Sequence, residues 1–403
     1  MGTTASFTSR RYIEALVDEL DISETRYEQA NESYHSLGRW LNRPASTIAA
    51  YSPAVYVQGS FGLGTVIKPL NLQEEYDVDA VCELEGLGKT QLSQHQLKLM
   101  VGKEIEEYRR SKAMVKPLRE GRRCWTLNYA DGAQFHMDVV PALPNGATVR
   151  KMLEARSMDA TWASTAIGIT DNERWNYASV TDDWPRSNPK GYLEWFKSKM
   201  IVVLNERKRA LAKSINASVE KIPDYRVRTP LQSSIMILKR HRDIMFQHDQ
   251  TNSCPISIII TTLAAHAYNG EEDVADALFS ILSGMERHVL RDANGRAWIS
   301  NPSDPLENFA DKWAEHPERE TAFFQWLHQA QTDFSRIAQL STQTAITEKL
   351  SPHVGQELAK RAENRSRSGS GSLLRGATAA AASSSSPSFG SVPRIPSKPQ
   401  GFA

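Results

Sequence analysis

Three aspartates in this 403-residue chain stand where carboxylates could share a cation. Asp77 and Asp79 sit two apart in the apolar run Tyr76-Asp77-Val78-Asp79-Ala80-Val81. Strand side chains alternate faces, so both carboxylates point one way while Val78 and Ala80 point the other. Two anions side by side repel unless a cation lies between them, and oxygen donors suit a hard metal such as Mg²⁺. Asp138 lies in a second apolar run, Phe135-His136-Met137-Asp138-Val139-Val140. Upstream, Ala54-Val55-Tyr56-Val57 leads into Gln58-Gly59-Ser60 and a loop with Gly62 and Gly64. Backbone N–H groups and the Ser60 hydroxyl at such a turn suit a phosphate. Alone, Asp77-x-Asp79 also fits the wet face of a half-exposed strand. Together with Asp138 and the Gly-Ser turn, it reads as a two-metal nucleotidyl-transfer site. His136 shares the face of Asp138 and reads as a rim histidine rather than a ligand, because Mg²⁺ prefers oxygen.

The elements that must position these groups follow from period and punctuation. Strands are expected at 54–58 and 76–84, then a helix at 91–110. A strand at 124–129 turns through the Asp131-Gly132 pair into a return strand at 134–140, which carries Asp138 and which Pro141 closes. Helices are expected at 8–20 and 24–42, the second capped by Ser23 and patterned by Tyr27, Ala30, Tyr34, Leu37 and Leu41. Residues 145–190 read as loop-rich and feed a helix at 193–204. Thr229-Pro230-Leu231-Gln232 has the form of a capping box opening a helix over 230–246. On that helix Lys239 and Arg242 share a face, whereas Arg240 is expected to meet solvent or an acidic partner. The apolar stretch 256–268 predicts a buried helix with His266 in the core. Further helices are expected at 273–290, 307–313 and 318–340, the last anchored by Phe323, Phe324, Trp326, Leu327 and Phe334.

Apolar residues make up 40% of the chain and charged residues 24%, the balance of a globular protein. No run of eighteen apolar residues exists to span a membrane, and the N-terminus lacks the apolar core of a secretory signal. Cys82, Cys124 and Cys254 have neither a disulfide framework nor a zinc spacing, which points to a reducing cytoplasm. Residues 360–403 hold seven Lys or Arg and one Glu, a net of +6 that leaves residues 1–359 at −5. The folded part is therefore no generic nucleic-acid binder. From Arg361 the composition shifts to Ser, Gly, Ala, Pro and Arg, which cannot bury enough apolar surface to fold.

Gln58-Gly59-Ser60, Asp77-x-Asp79 and Asp138 resemble the Gly-Ser and acidic motifs of the nucleotidyltransferase superfamily. The phrases GSFGLGTVIKPLN, EYDVDAVCEL, SNPKGYLEWF, PLQSSIMILKRHRD, PISIIITTLAAHAYNG and NPSDPLENFADKW, in that order, look like the bacterial cGAS/DncV-like nucleotidyltransferases. Those make cyclic oligonucleotide second messengers in anti-phage signalling (CBASS). The resemblance covers roughly residues 30 to 340. It implies an α+β, bilobal, polymerase-beta-like fold with a catalytic lobe over 1–200, a helical lobe over 201–350 and a disordered tail over 361–403. It implies two Mg²⁺ ions on Asp77, Asp79 and Asp138. Nucleotide contacts are implied at Gln58, Gly59, Ser60, Lys239 and Ser257, with Ser253 close to the last. NTP substrates, ATP among them, would be joined into a cyclic di- or trinucleotide with release of pyrophosphate, and a separate effector would bind the product. The C-terminal Ala403 resembles tails that ubiquitin-transfer-like enzymes join to other molecules. Two other readings share the motifs: a nucleotidyltransferase that does not cyclise, acting on RNA ends or a small molecule, and a non-catalytic nucleotide sensor.

Overall fold

The computed structural model describes residues 5–70, 76–129 and 135–368. Its centre is a mixed sheet. Strand β1 (Pro53–Val57) runs antiparallel to β2 (Tyr76–Leu84), and β2 runs parallel to β5 (Phe135–Pro144). On the other side of β5, β4 (Trp125–Tyr129) and then β3 (Arg119–Glu120) add antiparallel. The short β6 (Ile167–Ile169) pairs with the end of β5, and β7 (Arg186–Ser187) with β6. The turn expected at 130–133 and residue 134, expected to open the return strand, lie outside the described residues.

β5 does not end at Pro141. Its pairing with β4 stops at Val139, and its pairing with β6 starts at Ala142. Pro141 sits at the change of neighbour, and its carbonyl on that edge accepts from the Thr170 backbone N–H at 3.3 Å. The N–H that proline lacks would have pointed into the same gap, so no ladder bond is lost. The β2–β5 register runs unbroken from Tyr76↔Phe135 to Glu83↔Ala142.

One face of the sheet is apolar. Val78, Ala80, Cys82, Leu127, Phe135, Met137 and Val139 pack there with Tyr27, Leu37 and Leu41 of helix α2 and with Leu97, Val101 and Ile105 of helix α4. Helix α1 spans Phe7–Leu20, α2 Glu24–Leu41, α3 Gly59–Leu63 and α4 Gln94–Ser111. Each large side chain so buried contributes about 1.5–3 kcal/mol.

Several expected boundaries move. Helix α5 (Gly146–Glu154) occupies the stretch read as loop, and α6 runs from Pro189 to Ser214. Asn188 caps α6 by accepting the Gly191 N–H at 3.0 Å, with Pro189 at the first turn. Asp304–Asn308 is a strand paired with Ser300–Asn301, and only Asp311–Trp313 is helical, as a single 3₁₀ turn. The capping box at Thr229 is present and opens α7 (Pro230–Met245). Helix α8 is Ser257–Ala267, α9 Val274–Gly284, α10 Pro317–Ile337, α11 Gln343–Val354 and α12 Gln356–Ser368.

A second core joins α1, the start of α6 and helices α7 to α12. It gives the fold its two lobes, one α+β and one helical. The lobes do not follow chain position: α1 belongs to the helical core although it lies within 1–200, and α6 crosses residue 200. α12 also crosses 361, where an unstructured tail was expected to begin. Leu358, Ala359 and Ala362 are buried, and Tyr12 donates to the Ala359 carbonyl at 2.9 Å. Arg365 pairs with Asp18 and Glu19 of α1, and Arg361 with Glu19. Among the described residues no helix is long and apolar enough to cross a membrane.

Candidate active site

The sheet register decides how the aspartates meet. Asp79 on β2 is the partner of Asp138 on β5, and Asp138 is the partner of Thr126 on β4. Asp77 pairs with His136 two positions along the same face. Five polar side chains, Asp77, Asp79, Thr126, His136 and Asp138, thus line three adjoining strands, opposite the apolar face. His136 is a part-exposed histidine with its hydrogen bonding met at the rim: its Nε2 lies 2.9 Å from Asp77 Oδ1. That hydrogen bond pulls the Asp77 carboxyl below its ordinary range. Thr126 Oγ1 donates to Asp138 Oδ1 at 2.6 Å and orients it. Burial, then the charges of Asp77 and Asp138, push the Asp79 carboxyl up to about 6. A divalent cation relieves that repulsion, and the donors are oxygens. The residues fit Mg²⁺.

The Gly-Ser turn is built against the same carboxylates. The Gln58 N–H donates to the Asp79 carbonyl at 2.8 Å, and the chain then turns into α3. Gly59 has φ +58°, and a Cβ there would lie 2.1 Å from Asp79 Oδ2. Only glycine admits both the backbone and the neighbour. Gly59 and Asp79 border two cavities. One, of about 540 Å³, is also lined by Ser60, Asp77, Lys239, Arg242 and Ser257. The other is lined by Gln58 with Ser187, Asn188, Tyr192, Glu307 and Phe309. Gln58 and Ser60 therefore face different cavities.

Helix α7 supplies the basic wall. Lys239 Nζ donates to the Thr65 carbonyl at 3.0 Å. Burial, then the nearby Arg242, lowers its pKa to about 8. Arg242 Nη1 donates to Ser257 Oγ at 2.8 Å and to the Pro255 carbonyl at 3.1 Å, tying α7 to the start of α8. Ser257 lies at the cavity; Ser253 instead bonds Asp249. Arg240 does not face solvent. It is buried and donates to the Lys68 carbonyl, so it braces the segment after α3. Thr126 escaped the sequence reading, because a lone Thr carries no signature until a register places it; Asn188 lies in the phrase SNPKGYLEWF, and the structure adds its role as the cap of α6. Ala403 lies outside the described residues. The arrangement sets an acidic floor beside a cationic wall, the charges that a metal-bound triphosphate needs.

Residues 53–141 match the family model described as cyclic GMP-AMP synthase DncV-like, nucleotidyltransferase domain. This segment is a DncV-like nucleotidyltransferase domain. It spans β1 to Pro141 of β5 and so contains the turn and all three aspartates. A c-di-GMP synthase of Roseivirga ehrenbergii is 26% identical to the chain over 323 residues, covering 80% of this chain and 77% of its own length. The cyclic dinucleotide synthase CdnG of Bradyrhizobium diazoefficiens is 25% identical over 319 residues, covering 75% and 69%. The solved structure of the Bradyrhizobium diazoefficiens CD-NTase CdnG in complex with GTP superposes with a TM-score of 0.65 at 20% identity, over 88% of this chain and 98% of that one. The cyclic AMP-GMP synthase DncV of Vibrio cholerae, in complex with the linear intermediate 5′ pppA(3′,5′)pG, gives 0.55 at 14% identity, over 89% and 98%. The nucleotidyltransferase domain thus sits in a fold shared over almost the full length of those structures.

Proposed function

We propose that the protein is a metal-dependent nucleotidyltransferase that joins two NTPs into a cyclic dinucleotide second messenger with release of pyrophosphate. The observation that carries this reading is the register that sets Asp79 beside Asp138 with the Gly59 turn closed against them. Its relatives named as a c-di-GMP synthase and a cyclic dinucleotide synthase support the cyclising outcome and make GTP the first nucleotide to test.

Asp77, Asp79 and Asp138 would hold two Mg²⁺ ions. Bound there, the ions supply charge neutralisation at a triphosphate and acidify an acceptor ribose hydroxyl. The remaining work belongs to positioning, the main source of rate in phosphoryl chemistry. In the larger cavity Ser60, Lys239 and Ser257 would bind the donor, with the Lys239 ammonium on its phosphate tail. Gln58, Asn188 and Phe309 line the second cavity and would seat the acceptor. Thr126 holds Asp138 so that its carboxylate stays turned to the acceptor hydroxyl, whose proton it helps to take. Cys82, Cys124 and Cys254 are unpaired, in keeping with a cytoplasmic role in anti-phage signalling. Conjugation at Ala403 and a separate effector for the product complete the proposal from the sequence resemblance.

Incubation with the four NTPs, followed by phosphatase, tests it. A phosphatase-resistant cyclic species accompanied by pyrophosphate is expected. Linear products alone would mark a non-cyclising transferase, and no pyrophosphate a nucleotide sensor. Asp77→Asn/Asp79→Asn should keep the fold and lose turnover; full activity in that variant would remove the assignment.

A further inference from the structure

Away from the sheet, three ligand-type side chains meet inside the helical lobe. His241 on α7, Asp333 on α10 and His353 on α11 bring one donor atom each within 4.8 Å of the others. Asp333 Oδ2 is 3.1 Å from His241 Nε2 and 3.0 Å from His353 Nδ1. The two imidazoles lie nearly parallel, 10° apart with centroids at 5.8 Å, and both present a nitrogen to the same oxygen. His241 and Asp333 are buried, and His353 is partly exposed.

We propose that His241, Asp333 and His353 form a structural transition-metal site of the Zn²⁺ class, which clamps α7 to α10 and α11. Tetrahedral Zn²⁺ with bonds of about 2.0–2.1 Å keeps its donors about 3.3 Å apart. The two short separations here lie within about 0.3 Å of that, so modest side-chain adjustment admits the ion. Two imidazole nitrogens with one carboxylate oxygen form a borderline donor set, which selects Zn²⁺, Co²⁺ or Fe²⁺ over Mg²⁺. The carboxylate is already oriented: Gln329 Nε2 donates to both Asp333 oxygens at 2.9 Å. His241 Nδ1 is buried with no hydrogen-bond partner, so Asp333 is the ring's polar tether. Arg336 stands 3.7 Å from the other oxygen, Oδ1, and is largely exposed, free to turn to solvent when a cation binds. The open edge of His353 gives the ion its path and leaves water a fourth position. His241 lies between Lys239 and Arg242 on α7. Fixing its ring fixes the helix that carries both cations of the candidate active site.

The test uses full-length protein stripped with a chelator and dialysed against Zn²⁺. Wild type should retain about one equivalent per chain, and so should Asp77→Asn/Asp79→Asn, because the ion is not held at the sheet. His353→Ala and His353→Gln, at a partly exposed position, should each retain under about a tenth of an equivalent and lose the Zn²⁺-induced rise in thermal midpoint. Co²⁺ should give wild type the intense visible bands of a four-coordinate ion. Zinc content unchanged in both His353 variants, a wild type that keeps no zinc, or a six-coordinate Co²⁺ spectrum in wild type would each overturn the site.

Discussion

Gly59 and Asp79 meet without slack: a Cβ on the glycine would sit 2.1 Å from the carboxylate oxygen Oδ2. The strand cannot yield, since the Asp79 carbonyl accepts the Gln58 N–H and β2 is paired on both sides. The side chain must move instead. Gly59→Ala should therefore displace Asp79 by about 1 Å and cut turnover by about 10²-fold. The left-handed backbone adds only about 1–2 kcal/mol of strain, so the protein should still fold. Pyrophosphate release and thermal melting, measured on the same sample, separate the two effects. Turnover within a factor of two of wild type would mean that Asp79 need not stand where it does.

Thr126→Val removes the 2.6 Å hydrogen bond to Asp138 while keeping the side chain's shape. Such an outer contact typically tunes metal affinity by about 10–100-fold. The Mg²⁺ concentration for half-maximal activity should rise by that order, with a stability loss of about 1 kcal/mol. A magnesium titration of the variant decides this. An unchanged curve would show that Asp138 holds its orientation without the threonine.

Lys239 gives the activity an alkaline limb. Burial, then Arg242, lowers its ammonium to about 8 in the nucleotide-free protein. A depressed lysine loses its charge as pH rises through that value and regains it below. NTP affinity should therefore fall about tenfold per unit above pH 8, and Lys239→Met should bind weakly at all pH values without that slope. Nucleotide binding measured from pH 7 to 10 is the check.

Ala362 is fully buried in α12, where that helix lies on α1. Ala362→Asp places an unpaired carboxylate there and should cost about 3 kcal/mol or more, seen as a fall in thermal midpoint. Residues 361–368 read as polar tail would tolerate the change. The melt therefore distinguishes a docked helix from a loose end.

The contrast between β2 and α12 explains what was legible. Asp77 and Asp79 announce themselves because a period-two strand puts them on one face and their chemistry is paired within a few residues. Lys239 and Arg242 do so through three-residue helical spacing. α12 hides because its buried side is Leu358, Ala359, Ala362 and Ser366, too small and polar to signal a core. Its arginines find their meaning only against Asp18 and Glu19, more than three hundred positions earlier. α5 opens at Asn145 with no side-chain cap, so no start signal marks it. The partnership of Thr126 with Asp138 depends on register, which no local pattern states.

The contact of α1 with α12 orders events during synthesis. The ribosome makes residues 7–20 long before their cover: Leu358, Ala359 and Ala362 emerge only after about 340 further residues have been added. Until then the first helix is an amphipathic stripe without its last partner, while the sheet that carries the aspartates can already have closed. The helical lobe is finished late, and the interval before residue 368 leaves the exit tunnel is when the nascent chain most needs protection from aggregation.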